Sequence, residues 1–336
     1  MIQLDKVSKK YQDFHIQDLS LKVRPGEYFV ILGPSGAGKT LLLEMMAGLE
    51  VPDSGRILGL ENRRIGLIYQ DYMLFPHLNV FQNIAYGLTI RKEGKQKIKT
   101  QVEKVSENLG IAGLLSREVN TLSGGEKQRT AIARAMVMEP EVYLLDEPTA
   151  ALDLSTKTQI QRLILELHKK EKTTVVHVTH DFEEALAMGD RIGLLFSGQM
   201  IQKDTPEQVF NHPASKKAAD FLGYKNVFSG SIKDYRMNIN SLDITTPEKD
   251  AEKAFIAIWS NDIILSQSKL ESSARNTFPG RVIKSIKRTN HVEVIVDMGV
   301  WLYVDITYQS YKEMKLRPNA RIWATFKTQA VKVFLH

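Results

Sequence analysis

Residues 122–129 read LSGGEKQR, and what flanks them decides the fold. Upstream, residues 33–40 read GPSGAGKT; downstream, residues 142–147 read VYLLDE. GPSGAGKT is a Gly-rich phosphate loop, a motif that many unrelated nucleoside triphosphate enzymes carry. The run EYFVIL precedes it and LLLEMMAGL follows it, so it sits between a buried strand and a helix. In such a turn, backbone N–H groups at a helix N-terminus surround the phosphates of ATP. Gly33, Gly36 and Gly38 allow the turn and the close approach, and Pro34, Ser35 and Ala37 complete it. Lys39 is placed to reach the β- and γ-phosphates, and Thr40 to set its hydroxyl on Mg²⁺. Asp146 ends an apolar strand, where a carboxylate can hold Mg²⁺ through water, and Glu147 adds a candidate base. Ser123, Gly124 and Gly125 open a further helix over roughly 125–138, so their N–H groups form a second anion cradle. The phosphate loop occurs once in the chain, so a paired nucleotide site requires a second chain.

Outward from these strings, residues 2–7, 17–23, 27–32, 64–69, 141–146, 174–179 and 191–196 read as strands, with helical patterns between many of them. That alternation predicts an α/β core. Residues 79–125 are poor in strand signals and predict a helical subdomain. After Tyr224 the pattern changes to short runs separated by turns: 254–258, 262–266, 281–287, 292–297, 300–305 and 321–326. With only a short helix near 308–315, these predict a small all-β barrel. The expected boundary separates a nucleotide-binding domain, 1–227, from a β-domain, 228–336.

At 336 residues, with 43% hydrophobic and 25% charged residues, the chain fits a two-domain globular protein. It has no Cys, which excludes disulfides, thiolate metal sites and Cys nucleophiles. No apolar run approaches the ~18 residues of a membrane span, and the first residues read as a strand rather than a targeting signal. The net charge of +6 is uneven: residues 1–225 carry +1 and the remainder +5. A basic excess fits a solvated surface or an anion site. No basic run with interleaved aromatics points to nucleic acid, so no such partner is expected.

In combination, GPSGAGKT, LSGGEKQR and VYLLDE resemble the ATP-hydrolysing subunit of ABC transporters over roughly residues 1–225. The resemblance implies further roles. Glu147 is the general base, and Gln70, after RIGLIY, senses Mg²⁺ and the lytic water. His180, after TTVVHVT, is the switch that contacts the γ-phosphate. Tyr11, in KKYQDF, stacks on adenine. Ser123, Gly124 and Gly125, with Asp153 of AALD, contact the ATP held by the other chain. The family pattern implies a homodimer on the cytoplasmic face of the cell membrane, beneath integral permease subunits. Residues 72–87, YMLFPHLNVFQNIAYG, read as a docking groove for that permease or as an ordinary core helix.

The second domain separates the cargoes. SSARNTFPGRV, residues 272–282, and the segment 306–334 resemble the OB-like, molbindin-type molybdate-binding domain. A tetrahedral dianion needs N–H and O–H donors and one or two cations. Ser273, Arg275, Thr307, Lys327 and Thr328 supply that inventory. The resemblance implies an importer ATPase for molybdate or tungstate, fed by an external substrate-binding protein and inhibited when cargo binds this domain. Import of sulfate, iron or sugar with a purely structural β-domain is the alternative. A soluble ABC ATPase acting on ribosomes or DNA fits less well, because the 53 positions from Gln70 to Ser123 leave no room for a long coiled-coil insert.

Overall fold

The strand that feeds the phosphate loop is apolar because it lies inside a parallel sheet, covered on both faces. The computed structural model describes residues 1–11, 14–240 and 242–335, and the chain divides into two compact units, 1–206 and 207–336.

In the first unit, β1 (Ile2–Tyr11) and β2 (Phe14–Val23) form an antiparallel hairpin, and β3 (Tyr28–Leu32) leads into the phosphate loop and α1 (Lys39–Ala47). Next come β4 (Ser54–Leu58), which pairs with β1, and β5 (Ile65–Ile68). Three helices follow: α2 (Val80–Ile90), α3 (Lys95–Asn108) and α4 (Gly124–Met136). The first two lie in the strand-poor segment 79–125, and α4 spans most of the helix read from the sequence over roughly 125–138. The rest of the unit alternates as β6 (Val142–Asp146), α5 (Leu154–Glu171), β7 (Thr174–Thr179), α6 (Phe182–Met188), β8 (Arg191–Phe196) and β9 (Gln199–Asp204). The large sheet has the order β5-β6-β7-β3-β8-β9, parallel except for the last pair. Strands β3, β6 and β7 are buried along their whole length. A three-stranded sheet, β2-β1-β4, shares an apolar core with them through Ile2, Leu4, Ile16, Phe29, Ile31, Leu42 and Val176.

In the second unit, α7 (Pro206–Asn211), which begins at the last residue of the first, and α8 (Lys216–Phe221) precede two sheets. The first half contributes β10 (Asn226–Lys233), β11 (Arg236–Ile239), β12 (Leu242–Thr245), β13 (Ala251–Ile258) and β14 (Ile264–Ser266). The second contributes β15 (Asn276–Lys287), β16 (Val292–Asp297), β17 (Trp301–Ile306), α9 (Tyr308–Glu313), β18 (Arg321–Phe326) and β19 (Lys332–Leu335). Both sheets are five-stranded and antiparallel, β12-β11-β10-β13-β19 and β14-β18-β15-β16-β17. One core joins them, including Ile232, Ile256, Val282, Val294, Val304 and Phe326. The β-domain is therefore OB-like, as the sequence predicts. It holds strands in 226–245 that periodicity does not reveal, since RMNI and LDIT are four residues each and largely polar on one face.

Candidate nucleotide site

Parallel strands deliver their following residues to one edge of a sheet. Leu32 is level with Thr179, and Asp146 with Val178. The residues just after β3, β6 and β7 therefore meet: Gly33 onward, Glu147 and His180. His180 Nδ1 lies 2.9 Å from Glu147 Oε2. Glu147 Oε1 lies 3.8 Å from the ammonium of Lys39. Glu147 has φ 44°, an uncommon backbone state for a non-Gly residue. Its N–H donates to Val178 O at 2.9 Å, which ties it to β7.

The loop conformation needs its glycines. A Cβ on Gly33 would meet Leu195 O at 2.2 Å, and one on Gly38 (φ 94°) would meet the Phe14 ring at 2.5 Å. Phe14 sits at the tip of the β1–β2 hairpin, so that tip closes on the loop. Tyr11, the candidate adenine platform, pairs with Phe14 and is 51% exposed. Gln12 and Asp13 of the same string lie outside the described residues.

Lys39 is buried, and its Nζ donates to Gly33 O and Pro34 O, each at 2.9 Å. Burial pushes its pKa below the ordinary lysine value, opposed by the negative charge of Glu147 and Asp146. Thr40 Oγ1 donates to Asp146 Oδ2 at 2.8 Å. Burial holds the Asp146 carboxyl above its usual value, and the Thr40 hydrogen bond opposes that rise. A buried cation beside the loop and a hydroxyl–carboxylate oxygen pair form a donor set that fits a phosphate chain with a hard divalent cation. Gln70 is exposed in the turn after β5, whose register places it beside the end of β6.

Ser123 is the N-cap of α4. Its Oγ accepts from Glu126 N, and Glu126 Oε2 accepts from Ser123 N at 2.8 Å, forming a capping box. A Cβ on Gly125 would come within 2.6 Å of Thr156 on α5. Asp153 is exposed and caps α5, accepting from Thr156 N at 3.1 Å.

A buried network behind the site escapes the sequence reading. Glu184, on α6, is 2% exposed. Its carboxylate accepts from Thr149 Oγ1 at 2.7 Å and Thr179 Oγ1 at 2.6 Å, and from Gln161 Nε2 at 3.3 Å. Thr149 lies two residues after Glu147, and Thr179 one before His180. His177 is fully buried, with Nδ1 2.9 Å from Tyr28 Oη. Burial holds His177 below its ordinary value. Burial also acts to raise the Glu184 carboxyl, but neighbouring His177 and the hydroxyl and amide donors outweigh it and hold it low. The segment DFEE reads as a capping box, yet the Glu184 side chain turns inward and leaves the capping to Asp181.

The segment 72–87 forms one wall of an apolar groove of about 870 Å³, lined by His77, Phe81, Ala85, Tyr86 and, from α3, Ile98. Fully buried Asn83 fixes its entry: its side-chain amide bonds the backbone of Phe75, Leu78 and Asn79. Arg134 donates to Met73 O and Tyr72 O.

In the second unit the five candidate oxyanion residues are spread out. Arg275 and Thr328 line one cavity of about 630 Å³, and Lys327 lines another of about 510 Å³. Ser273 is exposed, and Thr307 caps α9 through Ser310.

Among the described residues, no helix is long and apolar enough to cross a membrane. The ABC transporter family model matches residues 16–150, and the TOBE domain model matches residues 272–333. The chain is 42% identical over 99% of its length, and all of the relative's, to a protein of Pyrococcus abyssi named molybdate/tungstate import ATP-binding protein WtpC. A protein of the same name from Pyrococcus horikoshii is 41% identical over 99% of this chain and 100% of its own. Among solved structures, cbiO1 from Clostridium perfringens, described as part of the ABC transporter complex cbiONQ, gives a TM-score of 0.57 at 30% identity, covering 63% of this chain and 90% of its own. The dimeric ABC transporter cassette MJ0796 gives 0.56 at 30% identity, covering 61% and 99%. By its fold, its ATP motifs and this full-length similarity, the chain belongs to the ABC transporter family, as an ATP-binding, ATP-hydrolysing component coupled to transport.

Proposed function

We propose that this chain powers import of molybdate or tungstate through a membrane permease. The carrying observation is the 42% identity, over both full lengths, to a protein whose name states that import. The nucleotide-binding part is 1–227, and 228–336 is an oxyanion-binding regulatory part. The protein acts as a homodimer on the cytoplasmic face of the membrane, with an external binding protein delivering cargo. The apolar groove of α2 and α3 receives the permease, which fits its aromatic lining and its pinned entry loop.

The chemistry follows from the side chains. The phosphate loop and Lys39 hold the phosphates, and Lys39 offsets charge that develops on them in the transition state. Glu147 orients and polarises the attacking water, and His180, 2.9 Å away, holds the carboxylate and reaches the γ-phosphate. Thr40, Gln70 and Asp146 would hold Mg²⁺, which supplies neutralisation of phosphate charge. Ser123, Gly124, Gly125 and Asp153 contact the ATP bound to the second copy. ATP binding thus favours the closed dimer and hydrolysis releases it. Anion bound to the β-domain favours the open state and slows import.

The test is ATP hydrolysis by the reconstituted transporter with molybdate, tungstate or sulfate on the binding-protein side. Molybdate or tungstate should stimulate turnover. Stimulation by sulfate alone, or by none of the three, removes the cargo assignment.

A further inference from the structure

The turn between α2 and α3 gathers positive charge that the rest of residues 1–225 does not. Residues 90–99 read IRKEGKQKIK, with five cations and one carboxylate. Their net charge is +4, whereas residues 1–225 together carry +1, so the remainder of that stretch is net acidic. The carboxylate does not cancel its nearest cations. Glu93 turns along α3 and accepts from Lys97 Nζ at 3.0 Å, and Lys99 lies 3.9 Å from Glu103. Arg91, Lys92 and Lys95 are exposed and make no ion pair among the described residues.

The backbone fixes where these cations stand. Arg91 N donates to Gly87 O at 3.1 Å, Lys92 N to Thr89 O at 2.9 Å and Glu93 N to Leu88 O at 3.1 Å. Lys92 has φ 56°, the left-handed state that stops a helix sharply. Buried Leu88 and Ile98 anchor the turn from either side. Ile90, the last residue of α2, is 66% exposed beside the cations. A fixed turn that joins unpaired cations to an exposed aliphatic tip matches a surface that is anionic outside and apolar just beneath.

The turn is continuous with the apolar groove. Tyr86, Thr89, Glu93, Lys95 and Ile98, from the last turn of α2 to the first of α3, line it. On the proposed function that groove receives a membrane permease. The cytoplasmic loops of membrane proteins carry an excess of Lys and Arg, so they repel this turn rather than complement it. The lipid surface around such loops is negative. Exposed cations gain from it only within a Debye length, about 8 Å at physiological salt.

We infer that the α2–α3 turn, through Arg91, Lys92, Lys95 and Ile90, rests on the anionic headgroups of the membrane that holds the permease. The inference builds on the docking reading above and adds a second, lipid contact beside the groove. With the turn held at the membrane, docking at the groove becomes partly intramolecular, which raises the effective concentration of this chain at the permease.

The experiment floats the full-length chain with vesicles of phosphatidylcholine alone, and of phosphatidylcholine with phosphatidylglycerol. The chain should bind only the second, and about 1 M salt, where the Debye length is about 3 Å, should release it. Arg91→Gln combined with Lys92→Gln spares the groove lining and the nucleotide site, so ATPase activity in solution should stay at the wild-type rate. Vesicle binding by this double variant should weaken about 25-fold, about fivefold for each cation lost. The second unit is also basic, so the double variant decides: binding as tight as that of the wild type overturns the inference. Equal binding of the wild type to both vesicles, or to neither, overturns it too and leaves the docking reading standing. In the reconstituted transporter, phosphatidylglycerol should lower the amount of chain needed for half-maximal ATPase activity, and the double variant should lose that dependence. A double variant that assembles equally poorly in both lipids means that the turn meets the permease itself, which also overturns the inference. A wild type that binds anionic vesicles but joins the permease in neither lipid removes the docking reading while the lipid contact stands.

Discussion

The first unit and the second build their sites in opposite ways. In the first, three parallel strands end at one edge, and each hands over residues adjacent to it in sequence. Gly33 to Thr40 follow β3, Glu147 follows β6 and His180 follows β7. In the second, the lining of one cavity comes from positions 234–236, 245–247, 275 and 328, gathered by an internal two-fold arrangement of strands. A site assembled at strand ends leaves contiguous motifs. A site assembled by symmetry leaves single residues whose partners are far away. On the proposed function the contrast also divides the labour, with hydrolysis in the first unit and anion recognition in the second.

The sharpest way to break the first half of this contrast is to split the ATP site between chains. Lys39→Ala removes the phosphate-loop cation, and Ser123→Arg blocks the second cradle. Each variant alone should lose nearly all ATPase activity. Mixed, they should form some heterodimers with one intact composite site and regain a fraction of the wild-type rate. No recovery despite demonstrated subunit exchange rules out a site shared between copies.

A smaller effect is expected behind the site. Glu184 is buried and holds Thr149, two residues after Glu147, and Thr179, one before His180, so its expected role is that of a positioning residue. Glu184→Gln should lower kcat roughly tenfold, because small misplacements of reacting groups are costly. The KM for ATP should stay within about twofold. An equal change in KM, or an unchanged kcat, would assign Glu184 to packing alone.

The same carboxylate gives a pH signature. Its folded pKa is held below the unfolded value of about 4.3. Its contribution to stability is therefore present above that value and lost as pH falls through the folded pKa. The melting temperature of the wild type should fall progressively below about pH 4, and more steeply than that of Glu184→Gln. Parallel curves would contradict the assignment.

The smallest effect belongs to the α4 cap. Ser123→Ala, measured by unfolding without nucleotide, should cost about 1 kcal/mol, since Ser123 and Glu126 cap one another. A variant as stable as the wild type would mean the capping box contributes nothing measurable.

How much the sequence discloses follows the same division. The apolar runs of β3, β6 and β7 are legible because full burial on both faces forbids polar residues there. The residues that follow β3, β6 and β7 are legible as strings because each runs on directly from an apolar strand. Glu184 is not, since DFEE fits a helix cap equally well and only the fold turns its carboxylate inward. The strands β11 and β12 are too short for periodicity to detect, and the kinship of NVFSG with NTFPG becomes visible only once β10 and β15 occupy matching places in two sheets. The family resemblance groups Lys327 with Arg275, whereas in the fold the two line different cavities.

The division of labour itself is tested most directly by one variant assayed twice. Glu147→Gln should reduce ATP hydrolysis by about 10²- to 10⁴-fold, the contribution of a positioned base. The same protein sample, titrated with molybdate, should bind it within about twofold of the wild-type affinity. Undiminished hydrolysis, or molybdate affinity lost in step with hydrolysis, would contradict the account.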